Sequence, residues 1–105
     1  RLVPIAKLFS LFNLIFFGIE ISLKTTIGPG FIIAHSSGTV IGANKIGSNF
    51  IIFHQVTIGA KSFDGAGDES RPSIEDNVTI YTGAKIFGGV RIKAKTIIKS
   101  NEIIY

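Results

Sequence analysis

The chain has 105 residues, which is one domain at most, and its net charge is +4 at pH 7. With 46% apolar and 17% charged residues the sequence is not that of a disordered chain, and without cysteine it excludes disulfides and cysteine-based metal or redox chemistry. No basic stretch is interleaved with aromatic residues, so we expect no nucleic-acid partner. The absence of cysteine is consistent with a cytoplasmic location, which we expect. The sequence starts with Arg1 and contains no methionine, so we expect a fragment whose natural N-terminus is missing.

Residues 2–17 form a very apolar run, LVPIAKLFSLFNLIFF. The run is shorter than the roughly twenty residues that cross a bilayer. Pro4 fits the first turn of a helix and Gly18 fits its end, so we predict a short helix from about Ile5 to Phe17 within an N-terminal segment 1–18. We expect this helix to dock on the rest of the domain or on a partner subunit. Peripheral contact with a membrane surface is the alternative.

A six-residue period runs through residues 19–105. An α-helix does not return every sixth residue to one face, whereas a short strand followed by a turn does. Three such units would make one triangular coil, and coils would stack through parallel ladders. The period therefore predicts a parallel β-helix with one inward side chain per unit. The inward series are Ile21, Ile27 and Ile33; Val40, Ile46, Ile52 and Ile58; and Ile74, Ile80, Ile86, Ile92, Ile98 and Ile104.

Two interruptions break the period. One extra residue falls around His35 to Thr39. At least four extra residues fall between Ile58 and Ile74, in the polar stretch GAKSFDGAGDESRPS, which predicts a loop insertion at about 59–73. Interruptions of a regular scaffold are where functional residues tend to lie.

Short motifs stand in a fixed order along the chain. They are GIEI at 18–21, TIGPG at 26–30, IAHSSG at 33–38, VIG at 40–42, VTIG at 56–59 and TGAKIFG at 82–88. Together they resemble, over essentially the whole chain, the serine acetyltransferases and related O-acetyltransferases of surface polysaccharides. The resemblance implies an all-β, left-handed parallel β-helix of hexapeptide repeats with a short N-terminal α-helix. It also implies an O-acetyltransferase that uses acetyl-CoA, needs no metal and forms a homotrimer with active sites between subunits.

His35 lies at the first interruption of the period. O-acylation needs a base that takes a proton from the attacking hydroxyl, and imidazole titrates in the right range. By resemblance His35 matches the catalytic base of the family, and Glu20 matches the acidic residue that orients it. The alternative for His35 is a hydrogen-bonded corner histidine without a catalytic role.

The same resemblance implies where acetyl-CoA would bind. Its pantetheine arm would follow the backbone around Gly59-Ala60 and Gly83-Ala84. The basic stretch that begins at Lys85 would attract the 3′-phosphate, unless it is only a solvated rim. The basic residues of this stretch are Lys85, Arg91, Lys93, Lys95 and Lys99.

Two departures from the family pattern bear on the acceptor. The family carries Asp directly before the catalytic histidine, where this chain has Ala34, and a second histidine before the proline of the loop, where this chain has Arg71. A sugar hydroxyl has no ammonium group to pair, so we expect a polysaccharide sugar rather than free serine. Arg71 would bind an anionic acceptor or a CoA phosphate, and His54 would line the acceptor pocket. The alternative for each of these two residues is an ordinary surface position without a role in binding. Serine acetylation in cysteine biosynthesis and a non-catalytic scaffold are the alternatives.

Overall fold

The computed structural model describes residues 4–9, 11, 18–61 and 70–105. Residues 4–9 and 11 are helical, which confirms the short N-terminal helix, while residues 12–17 of the predicted helix lie outside the described part. Residues 62–69 of the predicted loop also lie outside it. Among the described residues no helix is long and apolar enough to span a bilayer. More than half of each large apolar side chain of this helix is exposed, at Ile5, Leu8, Phe9 and Leu11.

Short parallel strands make up the rest of the described chain. Successive strands turn onto three faces in rotation, so every third strand belongs to the same sheet. The first sheet contains β1, β4, β7, β10 and β13, the second β2, β5, β8 and β11, and the third β3, β6, β9 and β12. The strand bounds are β1 Ile19–Ile21, β2 Thr26–Ile27, β3 Ile32–Ile33, β4 Thr39–Ile41, β5 Lys45–Ile46, β6 Ile51–Ile52, β7 Thr57–Gly59, β8 Ser73–Ile74, β9 Thr79–Ile80, β10 Lys85–Phe87, β11 Arg91–Ile92, β12 Ile97–Ile98 and β13 Ile103–Ile104.

Inward isoleucines form the core. In the first sheet Ile41 pairs with Ile58, and Ile58 pairs with Ile86, and all three are fully buried. Each such side chain lies against an identical one in the coils on either side, so the column packs tightly without a wide globular core. The third sheet repeats this stack with Ile52 and Ile80. The six-residue period therefore predicts the buried positions correctly from Ile46 to Ile98, whereas Ile33 of the predicted inward series is 37% exposed.

Val40 is not in the core, contrary to the predicted series. Its side chain is 38% exposed, whereas Ile41 is fully buried. Thr39 and Ile41 point inward from β4, so Val40 between them must point outward. The interval from Ile33 to Ile41 is eight residues and that from Ile41 to Ile46 is five. The first interruption therefore adds two residues, and the next turn is shortened by one.

Gly47 lies where two coils come close together. A Cβ at this position would lie 2.8 Å from the backbone nitrogen of Asp76 and 2.9 Å from the carbonyl carbon of Glu75. These are backbone atoms that cannot rotate away, so we expect Gly47→Ala to lower the free energy of unfolding by about 1–3 kcal/mol in equilibrium denaturation. Gly59→Ala is the matched control, because a Cβ there meets nothing within 4 Å, and we expect a change below about 0.5 kcal/mol. Equal losses in the two variants would contradict this packing.

Candidate active site

Both histidines lie on one edge of the β-helix, between the third and first sheets. His35 follows β3, and His54 follows β6 one coil further along. The chain turns at this edge through left-handed residues, with φ of 70° at Gly38, 57° at Gln55 and 77° at Gly83. We call this edge the histidine corner. It contains residues 34–38, 53–55 and 82–84.

A hydrogen-bond ladder fixes the backbone of the histidine corner. The N–H of Gln55 donates to the carbonyl of Ser37 at 2.9 Å. One coil on, the N–H of Gly83 donates to the carbonyl of His54 at 3.1 Å. The turns that carry His35, His54 and the segment around Gly83 are therefore held in register with one another. This register places side chains that are distant in sequence on a common surface.

The two imidazole rings lie next to each other. Their centroids are 5.7 Å apart and their planes are perpendicular. His35 is exposed and His54 is half-buried. His35 and His54 line a cavity of about 400 Å³ together with Ser36 and Ser37. That volume is in the range of small-molecule sites, so the cavity can hold a small acceptor beside the exposed ring of His35.

Neighbouring groups support this pair of rings. The centroid of the Phe53 ring lies 6.4 Å from that of His35, and Phe53 stacks on Tyr81 at 4.9 Å. The Thr82 hydroxyl oxygen lies 3.5 Å from Nδ1 of His54. The adjacent coil therefore contacts His54 twice, at its backbone through Gly83 and at its ring through Thr82.

Glu20 does not reach His35 in this structure. It lies in β1 on the outward side of the first sheet, and its side chain is exposed. Within the described residues neither a hydrogen bond nor an ion pair joins Glu20 to His35. Its role as the group that orients the base stays a prediction. Ala34, which precedes His35, is exposed and brings no polar side chain to the corner.

The segments predicted to follow CoA lie at the two edges of the first sheet. Gly83 and Ala84 belong to the histidine corner, and the side chain of Ala84 is fully buried, so only backbone is available there. Lys85 is exposed and its Nζ donates to the carbonyl of Gly83 at 3.1 Å. Gly59 and Ala60 lie at the opposite edge, because Gly59 pairs with Phe87 at the far end of β10.

Arg71 also lies at the edge away from the histidines. Its Nη1 is 3.5 Å from the hydroxyl oxygen of Ser22, in the turn that follows β1. The chain crosses from the first to the second sheet at that turn. Arg71 and His35 are therefore separated by the width of the first sheet within one subunit.

A second cavity lies at the edge of the first sheet away from the histidines, and no motif of the sequence predicts it. It measures about 270 Å³ and is lined by Ala60, Lys61, Phe87 and Tyr105. The Nζ of Lys61 lies 5.5 Å from the centroid of the Tyr105 ring, which is a cation–π distance. Phe87 and Tyr105 each follow an inward isoleucine directly. A large aromatic residue at an outward position is the sequence signal that marks them.

The basic stretch is not one patch. Lys85 lies on the first sheet, Arg91 on the second, and Lys95 in a left-handed corner turn with φ of 66°. Arg91 Nε donates to Glu75 at 2.7 Å. This hydrogen bond, with that from the Ala94 N–H, holds the pKa of the half-buried Glu75 carboxyl below its usual range. Lys85 adjoins the histidine corner through its hydrogen bond to the carbonyl of Gly83.

A third cavity, of about 430 Å³, lies on the second sheet away from the histidines. Its carboxylates are already engaged, Glu75 by Arg91 and Asp76 by the N–H of Ser48 at 2.7 Å. In the part of the chain that the structure describes, no group of three or more His, Cys, Asp or Glu side chains is placed to hold a metal ion. The histidine corner is therefore the candidate site for proton-transfer chemistry.

Relatives of known function match nearly the whole chain. No protein-family model matches it. The chain is 36% identical over 104 residues to a serine acetyltransferase of Bacillus subtilis and 38% identical over 104 residues to one of Staphylococcus xylosus. Each alignment covers 95% of this chain and 46% of the relative. The chain thus spans about half the length of the curated relatives it matches.

Solved structures agree with the sequence comparison. The serine acetyltransferase of Vibrio cholerae superposes with a TM-score of 0.88 at 27% identity, over 97% of this chain and 39% of that one. The serine acetyltransferase of Neisseria gonorrhoeae in complex with serine superposes with a TM-score of 0.75 at 27% identity, over 96% of this chain and 43% of that one. These similarities confirm the left-handed winding of the β-helix that the motifs imply.

Proposed function

We propose that this chain, a hexapeptide-repeat protein related to the serine acetyltransferases, transfers an acetyl group from acetyl-CoA to a hydroxyl oxygen. The observation that carries the proposal is the exposed imidazole of His35 on a cavity of about 400 Å³ at a corner of the β-helix. Relatives at 36–38% identity that are named for this reaction support it. The presence of acetyl-CoA in the cytoplasm fits a cytoplasmic enzyme.

His35 would serve as the base. It takes the proton of the acceptor hydroxyl as that oxygen attacks the thioester carbonyl carbon. The tetrahedral intermediate collapses, the carbon–sulfur bond breaks, and the imidazolium returns the proton to the CoA sulfur. No acyl-enzyme is needed, and the sequence has no cysteine that would form one. Backbone N–H groups would stabilise the oxyanion.

We propose free serine as the acceptor. The sugar acceptor that Ala34 and Arg71 favour in the sequence has no support among the relatives, whose names point to serine. A structural neighbour at 27% identity was solved with serine. The cavity beside His35 suits a small amino acid. A sugar stays the second candidate because Ala34 offers no carboxylate beside the base.

An acceptor comparison tests this function. Purified protein with acetyl-CoA would be given L-serine or a panel of free and polymeric sugars, and CoA release and product mass would be measured. We expect kcat/KM for L-serine to exceed that for every sugar by at least about tenfold, which corresponds to about 1.4 kcal/mol. Acetylation of sugars alone would restore the sugar acceptor. Intact acetyl-CoA with all acceptors would favour a non-catalytic scaffold.

For the donor we propose a path across the first sheet. The outward side of Gly59 is open, which lets a ligand approach the backbone, and Ala60 lines the cavity that contains Lys61. At the other edge, Gly83 offers backbone to the thioester end of the donor, and the exposed ammonium group of Lys85 beside it would attract the negatively charged donor as it approaches. The pantetheine arm would lie between these edges, with its thioester at the histidine corner.

We further propose a homotrimer. Apolar side chains on the two sheets that meet at the histidine corner are more than half exposed, and burial against a second copy would stabilise them. Arg71, which lies away from His35 within one subunit, would reach a site completed by a neighbouring copy. The exposed side chains on the two sheets are Ile32, Ile97 and Ile103.

Peripheral contact of residues 2–17 with a membrane also stays a proposal.

A further inference from the structure

His54 is a second imidazole in a site whose proposed chemistry uses one. A single base suffices, since His35 takes the hydroxyl proton and returns it to the CoA sulfur. His54 nevertheless lines the same cavity, with its ring 5.7 Å from that of His35. Its backbone carbonyl is bound by Gly83 in the adjacent coil. A polar ring held in place beside the reacting hydroxyl needs a role of its own.

Charge repulsion limits what that role can be. When His35 carries the proton, a second positive charge on a ring whose centroid is 5.7 Å away is disfavoured by Coulomb repulsion. The role considered for His54 is therefore that of a neutral ring. A neutral imidazole has one nitrogen that donates and one that accepts.

The contact with Thr82 is compatible with a His54 ring that carries its proton on Nε2. The hydroxyl oxygen of Thr82 lies 3.5 Å from Nδ1 of His54. When the Thr82 hydroxyl donates to Nδ1, the proton of the neutral ring resides on Nε2. His54 then offers one N–H donor, and it can serve an oxygen of a bound molecule.

We propose that His54 is the acceptor-recognition residue of this site, and that its Nε2–H donates to an acceptor oxygen next to the reacting hydroxyl. In serine this oxygen belongs to the carboxylate. The inference rests on the proposed function. Ala34 brings no polar side chain to the corner, so recognition of the acceptor must come from another residue. His54 is that residue because a small hydroxy acid can bridge two rings 5.7 Å apart.

The test is a split between KM and kcat. We expect His54→Ala to raise KM for L-serine by about 10- to 100-fold, the range for a hydrogen bond to a charged group. KM for acetyl-CoA and kcat at saturating serine should change by less than about threefold. His54→Gln keeps an N–H donor and should recover KM to within about fivefold of the wild type. A purely structural role for His54 would instead lower Tm and shift both KM values.

A truncated acceptor gives a second, independent readout. Ethanolamine keeps the hydroxyl and ammonium groups of serine but lacks the carboxylate. We expect wild-type protein to prefer serine over ethanolamine, and His54→Ala to lose at least about tenfold of this preference. Thr82→Val should lose part of it, because the ring can then place its proton on either nitrogen. Tyr81→Phe is the control, because it keeps the ring that stacks on Phe53 and should change nothing.

The outcomes separate the two proposals. If wild-type protein transfers acetyl groups but His54→Ala keeps the wild-type KM for serine and the wild-type preference over ethanolamine, the role of His54 is overturned and the proposed function stands. If wild-type protein transfers no acetyl group to any acceptor, both fall. Should His54→Ala unfold, His54→Gln and Thr82→Val carry the comparison.

Discussion

His35→Ala is expected to lower kcat for acetyl transfer by about 10²- to 10⁴-fold, the contribution of a general base. The side chain is exposed, so its removal takes little from the core. The turn that carries it is held by backbone bonds, among them that from the N–H of Gln55 to the carbonyl of Ser37. Fold and assembly should therefore survive the substitution. Turnover would be followed by CoA release at saturating acetyl-CoA and serine.

Controls separate loss of the base from loss of structure. Circular dichroism, Tm and sedimentation of His35→Ala should match the wild type. Acetyl-CoA affinity, measured by calorimetry, should change little, because the proposed donor path reaches the corner only at its end. Thr26→Ala, which alters an exposed residue on the second sheet, should keep full activity. Turnover of His35→Ala within threefold of the wild type would remove His35 from the mechanism.

The second large effect is on stability. Ile98→Ala is expected to lower the free energy of unfolding by about 2–5 kcal/mol. Ile98 is 1% exposed and pairs with Ile80 in the third sheet, so truncation leaves a cavity in the column as well as removing buried apolar surface. Equilibrium denaturation in urea, with constant slope, would measure the loss.

Ile97 provides a matched control one residue away. It has the same side chain, lies in the same strand and is 62% exposed, because successive residues of a strand point to opposite sides. Ile97→Ala should cost less than about 0.5 kcal/mol in the dissociated subunit, and more in the proposed homotrimer, where a second copy would cover Ile97. A loss as large as that of Ile98→Ala would mean that another copy covers this face in the folded assembly.

Much of the fold can be predicted from the sequence, because each unit needs one inward side chain and the turns keep a fixed length. From Ile74 to Ile104 the period is unbroken and the core assignment is correct at the buried positions. It fails at Val40, which stands next to Ile41. Both side chains are apolar and β-branched, so the period alone cannot show which one points inward when the preceding turn has an unusual length.

The site could be predicted only in part. His35 stands at an interruption, and the structure places it on a corner with a cavity. Its neighbour His54 is nineteen residues away, one more than a regular coil of three six-residue units, so the spacing hides that both rings share an edge. The resemblance assigns Glu20 to the base, and among the described residues neither a hydrogen bond nor an ion pair joins it to His35. The expectation of a sugar rests on Ala34 and Arg71, and the sequence alone does not show that His54 lies beside His35.

Inward and outward residues alternate along every strand, and neighbouring positions therefore face different kinds of selection. Ile52 supports the column, while Phe53 and His54, directly after it, support or line the cavity. Outward residues can change during evolution without weakening the column, and inward ones can change without altering the chemistry. A protein of this fold can thus acquire a new substrate preference through outward substitutions without a prior increase in its free energy of unfolding.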